Sequence, residues 1–188
     1  MTDLDAVLAD PRWSPRRGWH DDHRHHDGTP AYLPAMMQVR SEFEEFLQIC
    51  DARGLRVSVL QLGMGECDAS HEVWRARFSR VVTIDWRVCR VDDANPLPGT
   101  DTRSRAAISL AAAHAPYDVV FVDAGHSFVD VQHDYLSYGA MVRPGGIVAL
   151  HDAIVRHAYP EVGVPRLVAE LGLPVIGSEV GIAWTVVP

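Results

Sequence analysis

The chain has 188 residues, 47% of them hydrophobic, which is enough for one domain with a full core. No apolar run approaches the roughly 20 residues that a membrane helix needs. A formal net charge of −8 argues against nucleic acid as the main partner. Lysine is absent, so a P-loop lysine and a lysine Schiff base are both excluded. Three scattered cysteines and a first segment without signal-peptide features lead us to expect a cytoplasmic protein.

Residues 1–30 are predicted to form an irregular N-terminal arm that precedes a single domain over residues 31–188. The arm contains a His/Asp-rich run at 20–27 that lacks the spacing of a structural zinc site. Two interpretations stay open: a polar arm, or a lid or dimer arm that closes over a ligand site. Apolar residues at helical spacing over 31–52 predict an amphipathic helix that opens the domain.

A strand over residues 56–62 is predicted to lead into a glycine turn that contains Gly63 and Gly65. A strand, a glycine turn and a helix in this order are typical of the nucleotide-binding corner of Rossmann-like folds. Asp68 stands in place of the third glycine of the dinucleotide fingerprint, which disfavours a pyrophosphate. The next predicted strand ends at Asp85, whose carboxylate is suited to the two hydroxyls of a ribose. The sequence therefore favours S-adenosylmethionine (SAM), which has a ribose but no phosphate, over NAD.

Two further residues are candidates for contact with the adenine of this cofactor. Trp86 follows Asp85, and it either packs on the adenine or fills a helix–sheet contact. Asp101 lies where a third strand would end and is suited to accept a hydrogen bond from the adenine amino group. Residues 87–100 between them are poorly patterned and include a predicted loop.

The stretch 117–152 predicts a strand, a helix and a second strand, with an aspartate following each strand. Such a unit makes the two strands parallel, so Asp123 and Asp152 are expected to face one crevice beside His126. Two ionised carboxylates about 4–5 Å apart repel by about 4 kcal/mol at an effective dielectric of about 20. A divalent cation would relieve that repulsion. The alternative is that each aspartate only caps the turn or helix that follows it.

The last part of the chain predicts a helix near 163–171 and two strands, at 173–178 and 181–187. Only a few residues separate these strands, which allows a hairpin but not a parallel crossover, so the last strand is expected to be antiparallel. The predicted fold class is α/β. It is a Rossmann-like, mostly parallel seven-stranded sheet with an antiparallel last strand and helices on both faces.

From about Val57 to the C-terminus the chain resembles a known family. The most specific segment is 121–152, FVDAGHSFVDVQHDYLSYGAMVRPGGIVALHD. It resembles the class I SAM-dependent methyltransferases of the group that contains cephalosporin hydroxylase-like proteins and macrolide-sugar O-methyltransferases. The glycine, histidine and serine after the first aspartate, the Pro-Gly-Gly turn and the final His-Asp carry this resemblance. It implies a class I methyltransferase domain.

The resemblance also implies a metal site and a base. The acidic residues that bind magnesium in the sugar enzymes fall on Asp123 and on the pair His151 and Asp152, and the general-base histidine falls on His126. His151 replaces a hard oxygen ligand, and imidazole suits transition metals better than magnesium. The metal is therefore expected to be magnesium or a transition metal.

For the cofactor, the resemblance places the family's glycine-turn residues on Gly63 and Gly65 and its ribose-binding acid on Asp85. Gln61 is assigned to the same site, although it stands where the family has an acidic residue near the methionine ammonium. Asp123 is assigned to the cofactor as well as to the metal.

The leading hypothesis is an enzyme: a SAM-dependent O-methyltransferase that uses a divalent metal and acts on a hydroxyl of a small molecule, such as a sugar or natural-product scaffold. The metal would bind the acceptor, and His126 would take the hydroxyl proton. Three alternatives stay open: a non-catalytic cofactor-binding partner protein, an NAD-dependent oxidoreductase, and a metal-dependent hydroxylase or hydrolase that uses the same Asp/His cluster. No nucleic-acid or membrane partner is expected, and a homodimer is compatible with the short chain and its arm.

Overall fold

The computed structural model describes residues 38–64, 69–91 and 97–188, which form eight strands and five helices. The strands are β1 (Ser58–Leu62), β2 (Arg80–Ile84), β3 (Val88–Val91), β4 (Leu97–Pro98), β5 (Tyr117–Val122), β6 (Val142–His151), β7 (Val175–Ile176) and β8 (Ile182–Val186). The helices are α1 (Arg40–Ala52), α2 (Ala69–Arg77), α3 (Arg105–Ala113), α4 (Phe128–Gly139) and α5 (Val164–Leu171).

All eight strands form one sheet in the order β4-β3-β2-β1-β5-β6-β8-β7. The centre is parallel, because β1 pairs in parallel with β2 and β5, and β5 pairs in parallel with β6. The last strand, β8, pairs antiparallel with β6 and with β7. The α/β class, the parallel centre and the antiparallel last strand are thus confirmed.

The number of strands differs from the seven that the sequence predicts. The poorly patterned segment after β2 contains the short strands β3 and β4, which extend the edge of the sheet. Only three residues, 85–87, separate β2 from β3, and so short a connection forces the antiparallel pairing that is observed.

Helices cover both faces of the sheet, as predicted. On one face, α1 and α2 pack through aromatic side chains: Trp74 lies 5.2 Å from Phe43 and 5.4 Å from Phe121 of β5 between ring centroids. On the other face, α3, α4 and α5 cover a second cluster built around Tyr138 and Leu150. β1 and β5 are buried along their whole length, so the two clusters pack against both faces of the central strands and hold them in place.

The predicted strand–helix–strand unit is formed by β5, α4 and β6. The helix starts at a serine cap, where Ser127 Oγ accepts a hydrogen bond from Asp130 N at 3.2 Å, and it ends at Gly139. β6 begins at Val142, earlier than predicted, because the glycine-containing segment before Ile147 joins the strand with a shift in its register against β5. The carboxyl ends of β5 and β6 therefore lie side by side.

Three predictions fall outside the described residues: the arm over 1–30, the first part of the helix predicted over 31–52, and Gly65 of the glycine turn. None of the helices in the described part of the chain is long and apolar enough to cross a membrane.

Candidate active site

A cavity of about 650 Å³ opens at the carboxyl ends of the central strands. This volume lies within the range of small-molecule sites, and the position is the usual one for ligands of open α/β sheets. The residues that the sequence predicts for the site and that line this cavity are Gly63, Asp85, Trp86, Asp101, Asp123, His126, His151 and Asp152.

Gly63 forms the point at which β1 and β5 approach most closely at this edge. Its φ is +83°, and a Cβ atom on it would lie 1.9 Å from the carbonyl oxygen of Asp123. Asp123 N donates a hydrogen bond to the carbonyl oxygen of Leu62 at 2.8 Å, which holds the two chain segments together. Only glycine fits here, so the glycine turn brings the end of β1 directly against the first aspartate of the site.

Asp85 is held in one orientation at the end of β2. Its Oδ2 accepts a hydrogen bond from Met64 N at 2.8 Å, and its Oδ1 accepts one from Arg87 N at 2.8 Å. Each carboxylate oxygen can accept more than one hydrogen bond, so both keep capacity for a ligand. A fixed carboxylate that lines the cavity and sits next to the glycine turn fits a pair of ribose hydroxyls.

Trp86 and Asp101 lie at the outer end of the cavity. Trp86 is 70% exposed, and the Arg87 guanidinium lies 4.9 Å from the centre of its ring, so the indole is available to a flat ligand and does not fill the core. Asp101 accepts hydrogen bonds from Arg103 N at 2.8 Å and from its guanidinium at 3.0 Å. These bonds lower the pKa of Asp101.

Four side chains form an Asp/His cluster at the inner end of the cavity: Asp123, His126, His151 and Asp152. His126 Nε2 lies 3.0 Å from Asp152 Oδ2 and 3.5 Å from Asp123 Oδ1. His151 Nδ1 lies 3.2 Å from each of the same two oxygens. Asp152 also has a positive φ of 59°, which is uncommon outside glycine and concentrates at functional sites. The predicted convergence of the two strand ends is therefore observed.

The electrostatics of the cluster follow from these contacts. Hydrogen bonds to Asp123 and Asp152 raise the pKa of His126 to about 10. Burial opposes the charged form of His151, but the two carboxylates outweigh it and raise the pKa of His151 well above its ordinary value. Burial likewise opposes ionisation of the aspartates, yet the charge of His151 and the hydrogen bonds from His126 and His151 together outweigh it and lower the pKa of both. At neutral pH the carboxylates are ionised and the imidazoles provide the opposing positive charge.

The same cluster has the ligand atoms that a cation needs. Asp123, His126 and Asp152 each offer one ligand atom, and these atoms all lie within 4.8 Å of one another. His151 Nδ1 faces the same two carboxylate oxygens. A mixed set of carboxylate and imidazole donors fits a divalent transition metal at least as well as magnesium.

Comparison with known proteins extends these observations. Residues 66–153 match the model of a family described as a methyltransferase domain, and this range contains Asp85 and the whole Asp/His cluster. This match agrees with the predicted resemblance to class I methyltransferases.

Solved structures share the fold of this chain at low sequence identity. The MycE methyltransferase from the mycinamycin biosynthetic pathway, in complex with Mg, SAH and mycinamycin VI, has a TM-score of 0.60 and 15% identity over 97% of this chain and 54% of that chain. An O-methyltransferase from Bacillus cereus in complex with SAH has a TM-score of 0.60 and 14% identity over 99% of this chain and 90% of that chain. TomG, an O-methyltransferase from Streptomyces achromogenes involved in tomaymycin synthesis, in complex with SAM, has a TM-score of 0.51 and 18% identity over 100% and 90%.

The chain spans about half the length of the MycE protein. No curated protein sequence matches it. At these identities the likeness to solved structures shows a shared fold.

One predicted site residue is absent from the cavity lining. Gln61 is fully buried on the face of β1 that packs toward α2, where its Nε2 donates to Ser70 Oγ at 2.7 Å and its Oε1 accepts from Thr83 Oγ1 at 3.2 Å. Its neighbour in the sequence, Leu62, lies in the core on the opposite face. Gln61 thus belongs to a polar network behind the glycine turn.

Two cavity residues that bond the aspartates of the cluster were not predicted from the sequence. Gln38 Nε2 donates to Asp123 Oδ2 at 2.7 Å, and the Arg156 guanidinium bonds Asp152 Oδ1. Gln38 lies 85 residues from its partner, so no local pattern could indicate the contact. Arg156 follows Asp152 by four residues, and that spacing was the available signal.

Proposed function

We propose that the protein transfers a methyl group from SAM to a hydroxyl of a small molecule, in a site that also holds a divalent cation. The observation that carries this proposal is one cavity that contains both a fixed carboxylate suited to ribose, Asp85, and the Asp/His cluster. Further support comes from relatives of the same fold that hold SAM or SAH, and in the case of MycE also Mg and a macrolide.

The cofactor would be held along the edge of the sheet. Asp85 would bind the ribose hydroxyls, Gly63 would let the ligand pass close to the end of β1, and Trp86 and Asp101 would contact the adenine. When bound, SAM supplies a methyl group activated by its positively charged sulfur. Its reactive end would then lie toward Asp123, because β2, β1 and β5 are neighbours in that order.

Asp123, His151 and Asp152 would hold the cation, which supplies positive charge that orients the acceptor and acidifies its hydroxyl. His126 would take the hydroxyl proton at Nε2. In the contacts observed here, hydrogen bonds to the two aspartates keep the pKa of His126 at about 10, so this histidine is protonated at neutral pH. With a cation held by the two aspartates, the contacts that raise the pKa of His126 would be withdrawn, and Nε2 would be free to accept a proton.

Binding of S-adenosylhomocysteine, measured by calorimetry with and without Mn²⁺, tests the cofactor part of this proposal. The wild-type protein should bind it, and Asp85→Asn should weaken binding by about tenfold or more, since a hydrogen-bonded charge is lost. A protein that binds Mn²⁺ but neither SAM nor S-adenosylhomocysteine would contradict the proposal and favour a metal-dependent hydroxylase or hydrolase.

Methyl transfer from labelled SAM to a panel of hydroxylated small molecules tests the role of His126. His126→Ala should leave the affinity for S-adenosylhomocysteine unchanged and lower turnover by about 10²-fold or more, because a general base is removed. His157→Ala is the matched control, since His157 is exposed and lies outside the cavity lining. Equal turnover of the His126 and His157 variants would exclude His126 as the base.

A further inference from the structure

Gln38 is a buried polar residue of the cavity to which neither the sequence nor the comparisons assign a role. It lies just before α1, is 4% exposed and lines the cavity with Gly63 and Asp123. Its Nε2 donates to Asp123 Oδ2 at 2.7 Å. The opposite orientation of the amide would set two acceptor oxygens against each other, so this hydrogen bond fixes which end of the amide carries the oxygen.

The other end of the Gln38 amide is buried without a donor. Within the described residues, no hydrogen-bond donor reaches Gln38 Oε1. A buried acceptor of this kind is costly and is normally satisfied, by the protein, by water or by a ligand. The side chain therefore presents a fixed acceptor at a cavity wall, and the cavity is the place from which a donor can come.

The position of Gln38 indicates which donor this is. The two oxygens of Asp123 have different neighbours: Oδ1 faces His126 and His151, whereas Oδ2 faces Gln38. The two histidines proposed for the cation and for the acceptor proton thus lie near Oδ1, whereas Gln38 contacts Oδ2. A ligand that is held at Asp85 and also reaches Asp123 must cross the end of β1, where Gly63 stands.

A charge argument points the same way. The amino-acid end of SAM carries an α-ammonium group, and Gln61, the side chain predicted for that role, is directed into the core instead. Among the described cavity residues, Gln38 Oε1 is a buried acceptor that no donor of the described chain reaches, and it lies next to Asp123, whose negative charge also favours an ammonium group. We propose that Gln38 binds the α-ammonium group of the SAM methionine through Oε1, while its Nε2 holds Asp123 in position. This inference rests on the proposed function and adds a specificity residue to it.

Calorimetry with three probes tests the assignment: S-adenosylhomocysteine, its analogue with hydrogen in place of the α-amino group, and 5′-methylthioadenosine, which lacks the whole amino-acid end. The variant is Gln38→Met, which keeps the length of the side chain and removes both polar atoms. Gln48→Met is the matched control, because Gln48 is exposed on α1 and lies outside the cavity lining.

For Gln38→Met, affinity for S-adenosylhomocysteine should fall by about tenfold or more, as expected for a lost hydrogen bond to a charged group. Affinity for the amino-free analogue and for 5′-methylthioadenosine should stay within about twofold, given the usual scatter of unrelated substitutions. The control should leave all three affinities unchanged.

Several results would overturn this assignment. Equal weakening of all three probes would mean that Gln38 supports the fold of the site as a whole. Unchanged binding of S-adenosylhomocysteine together with weaker Mn²⁺ binding would mean that Gln38 supports the cation site, directly or through Asp123, and does not bind the ammonium group. A wild-type protein that binds none of the three nucleosides would refute the proposed function, and this inference with it. If the wild type binds them but Gln38→Met shows no selective loss for S-adenosylhomocysteine, only this inference is refuted.

Discussion

At the residue scale, Arg156 adds a positive charge beside the Asp/His cluster. Its guanidinium bonds Asp152 Oδ1 and lies 4.8 Å from the centre of the Tyr159 ring, and both residues line the cavity. Asp152 Oδ2 faces the two histidines. One oxygen of Asp152 is therefore held by a permanent cation, and a divalent ion must either share that carboxylate with Arg156 or displace it.

Replacement of Arg156 by Met should strengthen the binding of Mn²⁺. A positive charge several ångströms from the ion costs on the order of a few kcal/mol at an effective dielectric of about 20, and exposure to solvent reduces this effect, so we expect about a tenfold gain in affinity. Electron paramagnetic resonance of free Mn²⁺ measures it directly. Arg166→Met, which removes a guanidinium from the exposed surface of α5, should not change the affinity. Weaker binding by the Arg156 variant would mean that the guanidinium positions Asp152 for the metal.

At the scale of elements, α1 supports the site through Glu42. This side chain is 2% exposed, and its Oε1 accepts hydrogen bonds from the backbone N–H groups of Ser178, Glu179 and Val180, while its Oε2 accepts one from Gly181 at 2.9 Å. The same loop, 178–181, in turn accepts hydrogen bonds from Ala153 N and Ile154 N, the residues after Asp152. A helix near the start of the described chain thus fixes the loop against which Asp152 is placed.

Glu42→Gln should destabilise the protein even though the two side chains have the same shape. All four partners are donors, and an amide N–H₂ group cannot accept, so at least one backbone N–H loses its partner. We expect a loss of about 2 kcal/mol in the free energy of unfolding, measured by urea denaturation. Glu45→Gln, on the exposed face of the same helix, should change it by less than about 0.5 kcal/mol. Equal effects of the two variants would refute the role of Glu42.

The same scale shows what the sequence could predict. The β5–α4–β6 unit was predictable because apolar runs, a serine cap and a glycine turn each have a local cause, and its two aspartates follow from strand direction alone. One strand was predicted to end near Asp101, but its place was taken by β3 and β4, which were not distinguished because short edge strands carry little hydrophobic signal. Gln61 was assigned to the cofactor from the family resemblance. Because β1 is buried on both faces, alternation of polar and apolar residues could not show that this side chain points away from the cavity.

The contacts of Gln38 and Glu42 were beyond prediction for a different reason. Their partners lie 85 and at least 136 residues away in the sequence, and a lone glutamine or glutamate in a helical region normally indicates a solvated position. These residues come to lie against the site only when the whole sheet has formed.

At the scale of the whole molecule, the edge of the sheet opposite the cavity is joined by an ion pair between the buried Asp118 and the partly exposed Arg143. Asp118, at the start of β5, is 2% exposed and accepts hydrogen bonds from Val57 N at 2.7 Å and from Arg143 Nε at 2.6 Å. It thus connects the entry of β1, the start of β5 and the beginning of β6. Burial opposes ionisation of Asp118, but the bonds from Arg143 and from Val57 outweigh it and lower its pKa.

Asp118→Asn should therefore lower stability in a pH-dependent way. The pKa of Asp118 is lower in the folded protein than its ordinary value of 3.8, so its contribution is fully present above that value and is lost as the pH falls through the folded pKa. At pH 7 the variant should lose about 2–4 kcal/mol of unfolding free energy, since Arg143 is left without its carboxylate. Urea denaturation at pH 7, 5 and 3 should show this difference narrowing only at the lowest pH. Glu170→Gln, which breaks the exposed pair with Arg166, should cost less than about 1 kcal/mol at pH 7. If the loss of unfolding free energy in Asp118→Asn stayed constant as the pH fell below the folded pKa, the charge of Asp118 would not be what matters. The shape of its side chain would then hold the three strands together.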